Sequence, residues 1–245
     1  MWTLYEGDCL DVMPQLQDKS IDMILCDLPY GTTACKWDTV IPFEPLWQQY
    51  KRLIKPNGAI VLTASQPFTS ALVMSNPKWF RYEVIWEKDN FTNLGAITRQ
   101  FGKVHENILI FYEHLPVYHP QMWESSRPCT GGVVNAASYS ETSKQAYRHS
   151  NKRIGAMDRY PRSVIKITRP RKPIHPTQKP VALFEYLIRT YTNEGDTVLD
   201  NCAGSGTTGV ACENTGRHSI LIEREPKYCN IIRERMNALP GRLAL

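Results

Sequence analysis

Two apolar runs, Ile21 to Cys26 and Thr197 to Leu199, each end in a turn motif. Asp27-Leu28-Pro29-Tyr30 follows the first, and Asp200-Asn201-Cys202-Ala203-Gly204-Ser205-Gly206 follows the second. Short apolar runs bounded by turn residues read as buried strands. Motifs at their carboxyl ends stand where open α/β sheets build ligand sites. The chain is thereby constrained to a largely parallel sheet in which segments from opposite ends of the sequence meet.

At 245 residues and 42% hydrophobic content, the chain suffices for one α/β domain plus an insertion. Its seven cysteines show neither C-x-x-C nor Cys/His ligand spacing, which predicts a reduced, cytoplasmic protein without a structural metal. The segment from Met1 to Asp8 has no basic or apolar leader character, and no 18-residue apolar run occurs, so neither secretion nor a membrane span is expected. The net charge of +5 is modest, but basic residues concentrate between Lys144 and Lys172. Lys144, Arg148, Lys152, Arg153, Arg159, Arg162, Lys166, Arg169, Arg171 and Lys172 face only Asp158, with Tyr147, His149, Asn151 and Tyr160 interleaved. A charge run is ordinarily a solvated face. Interleaved stacking and hydrogen-bonding groups point instead to a nucleic-acid contact.

Periodicity predicts strands over Trp2 to Glu6, Ser20 to Cys26, Ala59 to Thr63, Phe80 to Trp86, Asn107 to Tyr112, Thr197 to Leu199 and Ser219 to Ile222. Helices are predicted over Cys9 to Leu16, Phe43 to Ile54, Phe68 to Met74, Val181 to Tyr191, Thr207 to Asn214 and Lys227 to Met236, with a turn at Pro56-Asn57-Gly58. Between Glu113 and Pro173 the pattern dissolves into Pro, Gly, Ser, Asn and basic residues, which marks an inserted recognition region.

Gly204-Ser205-Gly206-Thr207-Thr208-Gly209 satisfies the dinucleotide pattern G-x-G-x-x-G, so an NAD reading has to be weighed. Only one further strand follows, and Asp200 closes the strand just before the glycines, where an acid repels a pyrophosphate. The same acid attracts the cationic amino-acid end of S-adenosylmethionine. Glu223, ending the next strand, suits ribose hydroxyls, and Asp8 either the adenine amino group or the N-cap of the helix after it.

An exocyclic amino group is a poor nucleophile because its lone pair is delocalised into the ring. Two acceptors aimed at its N–H bonds favour the pyramidal nitrogen of the transition state. Asp27 supplies a carboxylate and Leu28 a backbone carbonyl, restricted by Pro29, while Tyr30 offers a face for an extruded base. Such stacking is worth roughly 1–3 kcal/mol, comparable with the cost of flipping. Taken alone, Asp-Leu-Pro-Tyr-Gly is also an ordinary turn.

With these motifs together, the chain resembles the β-class DNA amino-methyltransferases of the adenine-N6/cytosine-N4 group. The resemblance implies a circularly permuted, Rossmann-like class I methyltransferase sheet of α/β class, mostly parallel and flanked by helices, with an inserted target-recognition region. It divides the chain into a catalytic half over 1–112, the recognition region over 113–173 and a cofactor half over 174–245. Asp27, Leu28, Pro29 and Tyr30 match the family's catalytic D-P-P-Y, and Asp200 to Thr208 its D-P-F-x-G-x-G-T-T. His175-Pro176-Thr177-Gln178-Lys179-Pro180 matches the segment before the first cofactor helix, where Lys179 meets the cofactor carboxylate. The implied S-adenosylmethionine contacts are Asp8, Cys9, Asp27, Thr177, Lys179, Asp200, Cys202, Ala203, Gly204, Ser205, Gly206, Thr207 and Glu223. Lys144, Arg148, Lys152, Arg153, Arg159, Arg162, Arg169 and Arg171 are the expected contacts to double-stranded DNA.

The chain departs from the pattern at Leu28, which replaces a proline, and at Asn201-Cys202, which replace Pro-Phe. Aspartate at position 27 is commoner in adenine enzymes than the serine of cytosine-N4 enzymes, which favours adenine. Cytosine-N4 transfer, RNA as substrate and a catalytically silent nucleic-acid-binding scaffold stay open at this point, as do a homodimer and a cognate restriction endonuclease as partners. Pro128-Cys129 matches the nucleophilic dipeptide of C5-cytosine enzymes, but it lies in the irregular insert and does not follow a strand.

Overall fold

The computed structural model describes residues 1–32, 38–129, 155–170, 174 and 178–239. They form two compact units, residues 1–119 with 163–245, and residues 120–162.

The larger unit is built on strands β1 (Trp2–Glu6), β2 (Ile21–Asp27), β3 (Ile54–Ala64), β4 (Phe80–Glu87), β5 (His105–Phe111), β8 (Val164–Lys166), β9 (Thr197–Asp200) and β10 (His218–Glu223). Their order in the sheet is β1-β10-β9-β2-β3-β5-β4-β8. Every pairing is parallel except those of β5 with β3 and β4. Strands from opposite ends of the sequence lie side by side, with Trp2 opposite Ser219 and Glu6 opposite Glu223.

Side chains of successive strand residues alternate between faces. Ile24, Cys26, Ile60 and Leu62 enter one core cluster, while Met23, Leu25, Ala59 and Val61 enter another. Strands buried on both faces need helices on both. Helices α1 (Cys9–Val12), α2 (Phe43–Leu53) and α3 (Phe68–Ser75) contribute to the first cluster, and α4 (Val181–Tyr191) and α5 (Thr207–Thr215) to the second. In α4, Leu183, Phe184, Leu187, Ile188 and Tyr191 recur at helical spacing and are all buried. A last helix, α6 (Pro226–Asn237), starts with proline at its first turn and buries Cys229, Ile232 and Met236.

The sequence misplaces two features. Cys9 to Leu16 is not one α-helix: α1 stops at Val12 and a single 3₁₀ turn, Met13–Gln15, follows, because Pro14 supplies no N–H. The turn expected at Pro56-Asn57-Gly58 is instead an irregularity inside β3, where pairing with β2 jumps from Ile54 opposite Ile21 to Ala59 opposite Met23. Such bulges accept proline. They also bring backbones close, and a Cβ on Gly58 would lie 2.7 Å from the Asp22 carbonyl oxygen and 2.6 Å from Ile54 Cδ1. Gly58→Ala is therefore expected to destabilise the fold by about 1–3 kcal/mol, measured as a lower urea midpoint at unchanged slope.

Strand β8 was not foreseen. Three residues within a basic, irregular stretch carry little pattern, and pairing with the edge of β4 defines them. The smaller unit holds the antiparallel pair β6 (Trp123–Glu124) and β7 (Asp158–Arg159). Trp123 Nε1 donates to the Tyr160 carbonyl at 3.0 Å, and both rings are exposed. Among the described residues no helix is long and apolar enough to cross a membrane.

Candidate active site and cofactor pocket

A cavity of about 460 Å³ runs along the carboxyl ends of the central strands of the larger unit. Gly7, Asp8 and Cys9 line it after β1, Asp27 to Tyr30 after β2, Asp200 to Ser205 with Thr207 after β9, and Glu223 after β10. Its size suits a nucleotide-sized ligand. Among the expected site residues, Thr177, Lys144, Arg148, Lys152, Arg153 and Arg171 lie outside the described residues.

At the cofactor end two carboxylates shape the glycine loop. The Cys202 amide donates to Asp200 Oδ1 at 3.1 Å, and the Gly204 amide to Glu223 Oε2 at 2.8 Å. Glu223 Oε1 accepts from the Glu225 amide at 2.9 Å, and Thr208 Oγ1 donates to Asp200 Oδ2. Gly206, at φ +78°, turns the chain into α5 through a left-handed conformation that favours glycine. Amides that in a dinucleotide loop would face phosphates here face acids, so the loop carries negative charge into the cavity and fits a cationic ligand. Arg235 reinforces the turn by donating to the Ser205 carbonyl at 2.9 Å.

Burial pushes the Asp200 carboxyl up to about 6, against the hydrogen bonds of Thr208 and the Cys202 amide. Burial likewise raises Glu223, opposed by the Glu225 and Gly204 amides. Relative to the unfolded chain, folding shifts Asp200 toward its protonated form without neutralising it at neutral pH. Its contribution to stability is complete below the ordinary aspartate value of 3.8 and is lost as pH rises through about 6. Wild type should therefore lose about 2 kcal/mol relative to Asp200→Asn as pH rises from about 4 to about 7. Urea unfolding of both proteins across that range checks this, and a pH-independent difference would contradict it.

Asp8 caps α1, its Oδ1 accepting from the Leu10 amide at 2.9 Å, and it also faces the cavity. The two departures in the loop have structural partners. Asn201 Oδ1 accepts from the buried Tyr50 hydroxyl at 2.6 Å, tying the loop to α2. The Asn201 amide nitrogen donates to the Cys202 thiol at 3.6 Å. Burial holds the Cys26 thiol up at about 12, and neighbouring thiols together with burial raise those of Cys9 and Cys202, so these thiols stay protonated and pack as small apolar groups.

At the catalytic end Leu28 is buried in the core, which explains how leucine is accommodated in the tetrad. Tyr30 Oη lies 2.8 Å from Asp27 Oδ1 and 3.0 Å from Thr63 Oγ1, and Thr63 itself donates to Asp27 Oδ1. The Tyr30 ring stacks on Phe68 at 5.3 Å between centroids, which covers one face. Burial and the Asp27 charge raise the Tyr30 phenol well above its ordinary value, so it remains a donor. Lys179, which the resemblance directs to the cofactor carboxylate, is paired with Asp27 Oδ2 at 2.6 Å and with Glu106 Oε2 at 3.2 Å. Glu106 also pairs with the buried Lys88. Burial opposes ionisation of Lys179, but Asp27 and Glu106 outweigh it and hold the ammonium above its ordinary value. Lys179 and Lys88 outweigh burial in the same way and hold Glu106 below the usual carboxylate range.

Glu106, Lys88 and Thr63 escaped the sequence reading. The available signal was a charge beside each strand: Glu106 opens the apolar run of β5, and Lys88 follows directly on β4. Arg169 also lines the cavity and pairs with Asp89 at 3.6 Å. In the smaller unit Arg162 is exposed, whereas the Arg159 guanidinium donates to the Ala156 and Arg127 carbonyls.

The chain is similar to the type II methyltransferase M.HpaI of Haemophilus parainfluenzae, 28% identical over 253 residues, covering 95% of this chain and 73% of that protein. It is similar also to the type II methyltransferase M2.MboI of Moraxella bovis, 26% identical over 263 residues, covering 97% and 88%. Among solved structures, the M1.HpyAVI-SAM complex matches with a TM-score of 0.64 at 25% identity, over 96% of this chain and 100% of that one. The cytosine-N4-specific PvuII DNA methyltransferase shares the fold, with a TM-score of 0.69 at 15% identity over 99% and 88%. The family model for N6/N4 amino-methyltransferases, described as DNA methylase, matches residues 21–234, and the chain therefore belongs to that family of DNA methylases.

Proposed function

We propose that this N6/N4 DNA methyltransferase acts on the exocyclic N6 of adenine within a specific sequence of double-stranded DNA. The observation that carries the reading is one cavity joining Asp27 and Tyr30 to the acid-shaped glycine loop. S-adenosylmethionine, the family's cofactor, supplies when bound a sulfonium methyl group that needs no further activation. The carboxylates at the loop fit its cationic end. Asp200 draws the ammonium group, Glu223 accepts from the ribose hydroxyls and Asp8 from the adenine amino group, with Cys9 and residues 202–207 forming the walls.

At the other end Asp27 and the Leu28 carbonyl accept the two N–H bonds of the target amino group and favour its pyramidal form. Tyr30 packs against the extruded base, with Phe68 stacked on one face of its ring and the Lys179 ammonium 5.6 Å from the ring centroid. Aspartate at position 27 supports adenine over cytosine, as in the family pattern. Residues 120–162 serve as the core of the recognition region, with the basic run, including Arg162 and Arg169, gripping phosphates.

Incubation with labelled S-adenosylmethionine and unmodified duplex DNA of high complexity, followed by digestion to nucleosides, tests the reading. Labelled N6-methyldeoxyadenosine is expected. N4-methyldeoxycytidine would overturn the base assignment while leaving the amino-transfer chemistry.

A further inference from the structure

Four charged side chains meet beside the tetrad in a row. Lys88 pairs with Glu106 Oε1, Glu106 Oε2 with Lys179 at 3.2 Å, and Lys179 with Asp27 Oδ2 at 2.6 Å. Lys88 and Lys179 are 5% and 6% exposed. Burying four charges is costly unless each is paired, and a pair of opposite charges would already neutralise Asp27. The second pair therefore calls for a use beyond neutrality.

Asp27 has a problem as an acceptor. Its Oδ1 is taken by the Tyr30 and Thr63 hydroxyls and its Oδ2 by Lys179. Oδ2 keeps one lone pair, but an ammonium 2.6 Å away draws on the charge of that oxygen, so a substrate N–H is accepted there at full strength only if Lys179 moves off. Lys179 is the group with somewhere else to go, since its ammonium already lies within reach of Glu106 Oε2, an oxygen that makes no full hydrogen bond.

We infer that Glu106 is a positioning residue that offers the Lys179 ammonium a second seat and so frees Asp27 Oδ2 for the amino group of the target base. Lys88, held over the Trp86 ring at 5.2 Å, anchors the other oxygen of Glu106 so that Oε2 stays turned to Lys179. The inference rests on the amino-transfer reading above, but it holds for adenine and cytosine alike.

In Glu106→Gln the ammonium has Asp27 as its one carboxylate partner and stays on it. The single-turnover methyl-transfer rate should fall about 10- to 100-fold, with affinity for S-adenosylmethionine within about twofold of wild type. The paired variant Lys88→Met/Glu106→Gln removes one charge of each sign, and the same loss of rate is expected, which carries the test if the single variant folds poorly. Adding Glu106→Gln to Lys179→Met should cause no further loss, because Glu106 acts through that lysine. A wild-type rate in the paired variant, a loss confined to cofactor affinity, or losses that multiply in the Lys179→Met background would each overturn the inference. The identity of the labelled nucleoside, read from the same wild-type reaction, tests the base assignment separately.

Discussion

Asp27→Ala is expected to slow methyl transfer by about 10²–10³-fold or more while S-adenosylmethionine still binds and the fold persists. The size follows from removing a preorganised acceptor that acts on charge developing in the transition state. Retention of the fold follows from the surroundings. Thr63 and Tyr30 keep each other as partners at 3.0 Å, and Lys179 keeps Glu106 Oε2, so each neighbour retains a hydrogen-bonding partner, and the cost to the fold is the single carboxylate of Glu106 then shared by the two buried ammoniums of Lys88 and Lys179. Single-turnover kinetics beside a cofactor titration provide the measurement. A variant that loses cofactor binding in proportion to rate would place Asp27 among the cofactor ligands, and a variant as active as wild type would remove it from the chemistry.

The second large effect is expected at Glu223. Its carboxylate holds the Gly204 amide at 2.8 Å and the Glu225 amide at 2.9 Å, and on the proposed reading it also accepts from two ribose hydroxyls. Charge-assisted hydrogen bonds are worth about 1.5–3 kcal/mol each. Glu223→Ala should therefore weaken S-adenosylmethionine binding by about 10²-fold or more and lower stability by about 1–3 kcal/mol through the two amides left without partners. Glu223→Gln can still accept from one amide through its oxygen and should lie between the two proteins. Isothermal titration and urea unfolding distinguish the contributions. Unchanged cofactor affinity with reduced stability would restrict Glu223 to shaping the loop.

The two motifs were legible because each is a local event, an apolar strand run ending in residues that force a turn. Their expected meeting at one end of the sheet follows from parallel strands, and β2 and β9 are indeed direct neighbours. The α4 helix was legible to the residue because an eleven-residue amphipathic pattern is periodic enough to leave no other choice. Illegible were the elements whose conformation depends on a partner. Strand β8 exists through its pairing with β4, and the bulge at Gly58 through the approach of Asp22.

The site divides in the same way. Local sequence determined that Asp27, Tyr30, Asp200 and Glu223 stand at strand ends, since turn chemistry and strand period place them there without reference to the rest of the chain. Tertiary structure alone decided what those groups touch. Lys179, 152 positions from Asp27, reaches it only because α4 packs on the sheet beside β2 and β3. Glu106 joins them because β5 pairs with β3 in a register that sets Asn107 opposite Ala64. A side chain's charge is written in the sequence, but its partners are set by packing, because electrostatic pairing in a dry interior depends on distances of a few ångströms that only the assembled sheet fixes.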